Sequence, residues 1–141
     1  MESTRLRKGL PMLLLVLAAC RSDKPEDRVK AAFSQMVQAV ESGDAAGAAE
    51  LLDPEFHGPE GLDKGGARLY LMGVLRSGKV GITVLENRVK REGRDVWQSV
   101  SLILTQRGGA LLPDSSRRAF LIRWRERKGD WRIVEVQEAG S

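Results

Sequence analysis

The chain has 141 residues, with 23 Lys+Arg against 19 Asp+Glu, one histidine and one cysteine. A lone cysteine excludes a disulfide framework, and with a single histidine beside it the usual nitrogen/sulfur metal sites cannot be built. Bases and acids are interspersed along the chain instead of forming a basic stripe, which argues against nucleic acid as a partner.

The first element is a targeting segment. Arg5, Arg7 and Lys8 precede an apolar run from Leu10 to Ala19, which is too short for a membrane span of ~20 residues but has the plan of a secretory signal. It ends in Leu17-Ala18-Ala19-Cys20, which resembles the lipobox of bacterial lipoproteins. That resemblance implies cleavage before Cys20 and thioether attachment of a diacylglyceryl group to its sulfur, often followed by acylation of the new amino group. Two or more acyl chains hold a protein stably on a bilayer, where one holds it marginally. The reading is therefore a signal peptide over 1–19, a lipidated tether over 20–24 and a folded domain over 25–139, held in the bacterial cell envelope facing the periplasm. Arg21, standing where an aspartate would direct inner-membrane retention, favours the outer membrane by analogy with enteric sorting. Arg5, Arg7, Lys8 and Glu2 leave with residues 1–19, so the rest carries 20 bases and 18 acids and is close to neutral.

The domain opens with a helix from Pro25-Glu26-Asp27. Proline suits the first helical turn, and acids suit its positive end. Val29, Ala32, Phe33, Met36, Val37 and Val40 recur at helical spacing and form one apolar stripe. Ser42-Gly43 ends the helix, and Asp44 caps a second, shorter one in which Ala45, Ala48, Ala49, Leu51 and Leu52 face inward until Asp53-Pro54 stops it. Glu55 to Asp63 reads as a loop carrying Phe56 and His57. A third helix spans roughly Leu62 to Arg76, weakened by Gly65, Gly66 and Gly73 at up to ~1 kcal/mol each relative to alanine.

From Gly78 the period changes to two. Val80, Ile82, Val84 and Val89 mark one strand, which turns at Arg91-Glu92-Gly93-Arg94. Val96 to Thr105 is the next, with Val96, Val100, Leu102 and Leu104 on one face and Trp97, Ser99, Ser101, Ile103 and Thr105 on the other. Gly108-Gly109 and Pro113-Asp114-Ser115-Ser116 mark a long connection to a third strand, Arg117 to Arg127, in which Phe120, Ile122 and Trp124 oppose Ala119, Leu121, Arg123 and Arg125. Lys128-Gly129-Asp130 turns into the last strand, Trp131 to Gln137. Helices followed by a run of antiparallel strands predict an α+β domain with its helices on one face of the sheet.

The stretch Ala39-Val40-Glu41-Ser42-Gly43-Asp44 through Ala48-Ala49-Glu50-Leu51-Leu52-Asp53-Pro54-Glu55-Phe56 resembles the opening of the nuclear transport factor 2-like superfamily. Phe120-Leu121-Ile122-Arg123-Trp124-Arg125 and Gly129-Asp130-Trp131-Arg132-Ile133-Val134-Glu135-Val136 resemble its ending. The resemblance covers nearly all of 25–139 and is nearest to the lumazine-binding-domain-like and SnoaL-like exported lipoproteins. It implies a cone: N-terminal helices packed on a curved antiparallel sheet of about four strands, with a pocket between them.

Enzymes of that superfamily place an Asp–His or Asp–Tyr pair inside the cone, and this chain has few residues with which to build one. His57 is the sole histidine, either a general base near neutral pH or a loop side chain at the mouth. Tyr70 is either a phenolic donor to a ligand or a packed helix residue. Trp97 and Trp124, with Trp131, suit a ligand cage or the sheet–helix core, and Trp97 is the best candidate for the cage because its face carries serines and a threonine. Arg117-Arg118 and Arg123-Arg125-Arg127 are a basic ladder, read either as docking to anionic headgroups or as a solvated face paired with Glu126, Glu135 and Glu138. The expectation is a non-catalytic envelope lipoprotein without a cofactor, binding a small apolar ligand or an envelope protein through the cone. The alternatives are a ketosteroid-isomerase or polyketide-cyclase-like enzyme and a module that dimerises through its sheet face.

Overall fold

The computed structural model describes residues 24–107 and 115–139. The signal peptide, Cys20, most of the tether and the Gly108-Gly109 to Asp114 stretch lie outside the described residues. Helix α1 spans Pro25–Glu41, with Pro25 in its first turn beside Glu26 and Asp27. It closes as the Ser42 N–H donates to the Gln38 carbonyl at 2.9 Å and Gly43 takes a φ of 81°, a conformation that glycine adopts without steric cost. Asp44 then caps α2, Ala45–Ala49, by accepting from the Gly47 N–H at 2.9 Å.

Helix α2 is shorter than its sequence predicts. The chain leaves the helix after Ala49 and becomes strand β1, Leu52–His57, where a helix end and a loop were expected. The Leu51 carbonyl accepts from the Ile133 N–H at 2.8 Å, so sheet pairing takes over the backbone groups that a longer helix would have used. Pro54 reads as a breaker but is tolerated because β1 is an edge strand. A 3-10 turn, Pro59–Gly61, leads to α3, Lys64–Ser77, whose first turn is fixed by the Asp63 carboxylate accepting from the Gly66 N–H at 2.8 Å.

Four long strands follow: β2 Lys79–Glu92, β3 Asp95–Arg107, β4 Ser115–Arg127 and β5 Asp130–Glu138. Gly93, with a φ of 60°, turns β2 into β3. Lys128 and Gly129, at 52° and 86°, turn β4 into β5 as two left-handed residues, the hairpin geometry that matches strand twist. The sheet has five strands in the order β1-β5-β4-β3-β2, with β1 parallel to β5 and the other pairs antiparallel. Register breaks between Val84 and Glu86 in β2, and opposite Arg123/Trp124 where β5 meets β4, are of the kind that bend a sheet.

The bent sheet wraps α1 and α3. Alternation along β3 and β4 follows the sequence: Val96, Gln98, Val100 and Leu102 are buried toward the helices with Ile122 and Trp124, while Trp97, Arg123 and Arg125 lie on the outer face, half-buried. Val29 and Phe33 of α1, Ala67 of α3, Phe56 of β1 and Trp131 and Ile133 of β5 complete the core. The Glu41 carboxylate accepts from the Ile82 N–H at 3.2 Å and ties the end of α1 to β2.

Candidate functional site

The core is solid at one end and hollow at the other. At the solid end Trp124 and Val96 are fully buried with Val29, and Trp131 is 7% exposed. Gln98 sits among them with no exposed surface, which an amide tolerates only with partners. It has them: the Trp124 indole N–H donates to Gln98 Oε1 at 2.8 Å, and Gln98 Nε2 donates to Asn87 Oδ1 at 2.9 Å.

Toward the other end, between the second half of α1, the length of α3 and the concave sheet, lies a cavity of about 300 Å³. Its size falls at the small end of the ~300–1,000 Å³ range of ligand sites. Met36 and Val37 on α1, Leu71 on α3, and Val100, Leu104 and Phe120 on the sheet form its walls. Met36 and Val37 come from the α1 stripe visible in the sequence and the strand residues from the apolar alternation, whereas Leu71 belongs to neither pattern. Among the described residues Tyr70 is the only lining residue with a polar side-chain atom; it is 57% exposed, and Leu69 beside it is 70% exposed. No described side chain that lines the cavity carries a carboxylate, an imidazole or an amine.

The other sequence candidates do not converge there. His57 is exposed at the end of β1, with its backbone paired to Glu135 of β5, and lies on a strand where a loop was expected. Trp124 belongs to the packed end. Trp97 is on the opposite side of the sheet, half-buried, with the Arg123 guanidinium 5.5 Å from its ring centroid, within cation–π range. Cys20 lies outside the described residues.

The outer face and strand ends carry an ion-pair system that was only partly visible in the sequence. Arg123 meets Glu135 at 3.2 Å and Asp95 at 3.7 Å, and Arg118 meets Glu138 at 2.8 Å. Arg125 grips Asp95 with two hydrogen bonds of 2.8 and 3.0 Å, the fork geometry that suits a carboxylate. Those bonds, outweighing partial burial, hold the Asp95 carboxyl below its ordinary range. Arg127 bridges Asp53 at 2.9 Å and Glu55 at 3.1 Å. Burial pushes Asp53 upward, but the Glu55 N–H and the Arg127 guanidinium more than offset this and leave its carboxyl low as well. In the sequence Asp53 reads only as part of a helix stop and Asp95 has no assigned role, because each lies at a turn or next to a proline, where carboxylates are common for local reasons. Glu126, expected to pair within the strand, reaches Arg28 of α1 at 3.2 Å instead.

Among the described residues no group of three His, Cys, Asp or Glu is placed to hold a metal, and no helix is long and apolar enough to cross a membrane. Neither a known protein-family model nor a curated protein matches the sequence. Solved structures do match in shape. An NTF2-like protein of unknown function from Pseudomonas putida superposes with a TM-score of 0.71 at 12% identity, covering 85% of this chain and 89% of that one. A proposed scytalone dehydratase from Novosphingobium aromaticivorans gives 0.69 at 9% identity, over 81% and 83%. Bd1075 from Bdellovibrio bacteriovorus gives 0.69 at 10% identity, over 80% of this chain, which spans 40% of that larger protein. At such identities the likeness speaks for architecture alone, and the architecture is the nuclear transport factor 2-like fold.

Proposed function

We propose that this protein is a membrane-anchored envelope lipoprotein whose cone binds a small apolar ligand without catalysing a reaction. The observation that carries the ligand is the cavity of about 300 Å³ whose lining offers one polar side-chain atom, the rim hydroxyl of Tyr70. Such a space gains free energy from burying hydrocarbon, at ~25 cal/mol per Å². It offers an ionised substrate no charged group, and a proton in transit no base. A short acyl chain or a compound of a few fused rings fits the description. The anchor rests on the basic start, the apolar run and the Leu17-Ala18-Ala19-Cys20 sequence.

The fold likeness to a proposed dehydratase supports an isomerase- or cyclase-like enzyme as the second reading. Against it stands the absence from the described lining of a carboxylate or imidazole to pair with Tyr70.

Native mass spectrometry of the protein extracted from membranes in detergent tests both parts. The expected species starts at Cys20, carries acyl groups, and sheds an additional apolar mass on solvent extraction. A chain that still starts at Met1 overturns the anchor. A protein that neither carries an apolar mass nor takes up a hydrocarbon-like fluorescent probe overturns the ligand. Co-purification of a stoichiometric envelope protein over the exposed Leu69 and Tyr70 replaces the ligand with a partner.

A further inference from the structure

At the solid end of the cone, away from the apolar cavity, the surface holds a second hollow, of about 490 Å³, and five arginines line it. Arg28 comes from the first turn of α1, Arg91 from the end of β2, Arg94 from the β2–β3 turn, and Arg125 and Arg127 from the end of β4. Glu126 is the one acid in the lining. Three of the arginines are engaged: Arg28 with Glu126, Arg125 with Asp95, and Arg127 with Asp53 and Glu55. Arg91 and Arg94 are exposed: the Arg91 Nε–H donates to the Gly93 carbonyl at 3.2 Å, the Arg94 charge helps to hold the Asp95 carboxyl low, and neither forms a direct ion pair among the described residues. Trp131 also lines the hollow, and its buried indole N–H has no acceptor. The lining therefore keeps an excess of positive charge even after its own carboxylates are counted.

The position of this hollow gives the charge a partner. Pro25 is part of the lining, and Cys20 precedes it by five residues, a reach of at most ~18 Å for an extended chain. A lipid on Cys20 would hold this end of the cone within that distance of a bilayer surface. We propose that the arginine hollow seats the domain on anionic phospholipid, taking the headgroup phosphate between Arg91 and Arg94, while Arg125 stays held by Asp95. Arginine suits the task, since its planar fork matches phosphate oxygens. The seating also sets the orientation. α1 starts at the arginine hollow and ends at the apolar cavity, and β2 carries Val80 and Ile82 at the cavity and Arg91 at the hollow. With the arginine end on the membrane, the cavity is turned away from it, toward whatever crosses the envelope.

The inference rests on the membrane address proposed above but not on the cavity's holding a ligand, and its test uses no acyl group. The full chain with Cys20→Ser is sedimented with vesicles of phosphatidylcholine alone or with about a third phosphatidylglycerol; its apolar segment is the same in every arm. Reversing Arg91→Glu and Arg94→Glu together is expected to lower the affinity for the anionic vesicles about tenfold or more. The control, Arg68→Glu with Arg76→Glu, removes the same charge from exposed positions on α3 and is expected to lower it no more than about threefold, by the general fall in charge. Equal losses in the two variants, or equal binding to both vesicle types, overturn the proposal. So does full displacement by millimolar inorganic phosphate at constant ionic strength, which would make the hollow a site for the free anion.

Discussion

The indole of Trp124 and the amide of Gln98 lie on neighbouring strands, both fully buried, and are joined by a hydrogen bond of 2.8 Å. Each needs the other. An indole N–H has no second donor role to fall back on, and an amide with no access to water must find partners within the protein. The pair joins β3 to β4 through the core, beside the backbone ladder that sets their register.

Replacing Gln98 with leucine is therefore expected to cost about 1–3 kcal/mol by stranding the Trp124 N–H. The double change Gln98→Leu with Trp124→Phe should cost less than the sum of the two single changes, because it removes both polar groups. Chemical denaturation of the four proteins measures the coupling. Strict additivity would show that the bond contributes nothing beyond shape.

Filling the cavity should separate binding from folding. Leu104→Trp places a large ring in the apolar space and is expected to reduce uptake of a hydrocarbon-like fluorescent probe at least tenfold. Thermal unfolding tells whether the fold survived, and a folded variant with unchanged uptake would place the probe elsewhere.

Tyr70→Phe removes the only polar side-chain atom that the described residues give the lining. A ligand held by its hydrocarbon surface should bind within about twofold of the unaltered protein, whereas one that hydrogen-bonds the phenol should lose about tenfold, for a bond worth roughly 1.5 kcal/mol. Titrating the same probe, then a ketone analogue of similar size, distinguishes the two.

Acid should loosen the domain by a route visible in its ion pairs. Asp53 and Asp95 are held below their ordinary values in the folded state. Their stabilisation is fully present above the unfolded carboxylate value of about 3.9 and is lost as pH falls through the lower folded values. Melting temperature is expected to fall below about pH 4. In Asp95→Asn the fall should be shallower, from a starting stability about 1–3 kcal/mol lower, since Arg125 has lost its fork partner. An identical pH profile in the variant would assign the acid sensitivity to other groups.

The sequence made the apolar faces plain, because a helix stripe or a strand alternation is a repeated signal and each residue corroborates the others. Val29 to Val40 faces the core, and the Val96–Leu104 series faces the helices. It hid β1, since Asp53-Pro54 carries the local chemistry of a stop, and only pairing with β5, some eighty residues later, makes it a strand. The cavity was hidden for a related reason: Phe33, Val100 and Phe120 would read the same whether they touched each other or surrounded empty space. The arginine hollow is assembled from positions 28, 91, 94, 125 and 127, and no spacing rule connects them. The sequence showed Arg123-Arg125-Arg127 as a ladder on one strand. In the fold Arg123 stacks on Trp97 while the other two reach the strand end.

In the strand order β1-β5-β4-β3-β2, the strand made last lies between the strand made first and its own hairpin partner. Until β5 has been synthesised and inserted, β1 has no neighbour, Ile133 and Trp131 are missing from the core, and Arg127 and Asp53 are not brought together. Local contacts can form the helices and the β2–β3–β4 meander early, but closure must wait for a pairing across most of the chain, the kind of contact that slows folding. A nascent chain therefore stays open along the β1 edge until its final strand has been made.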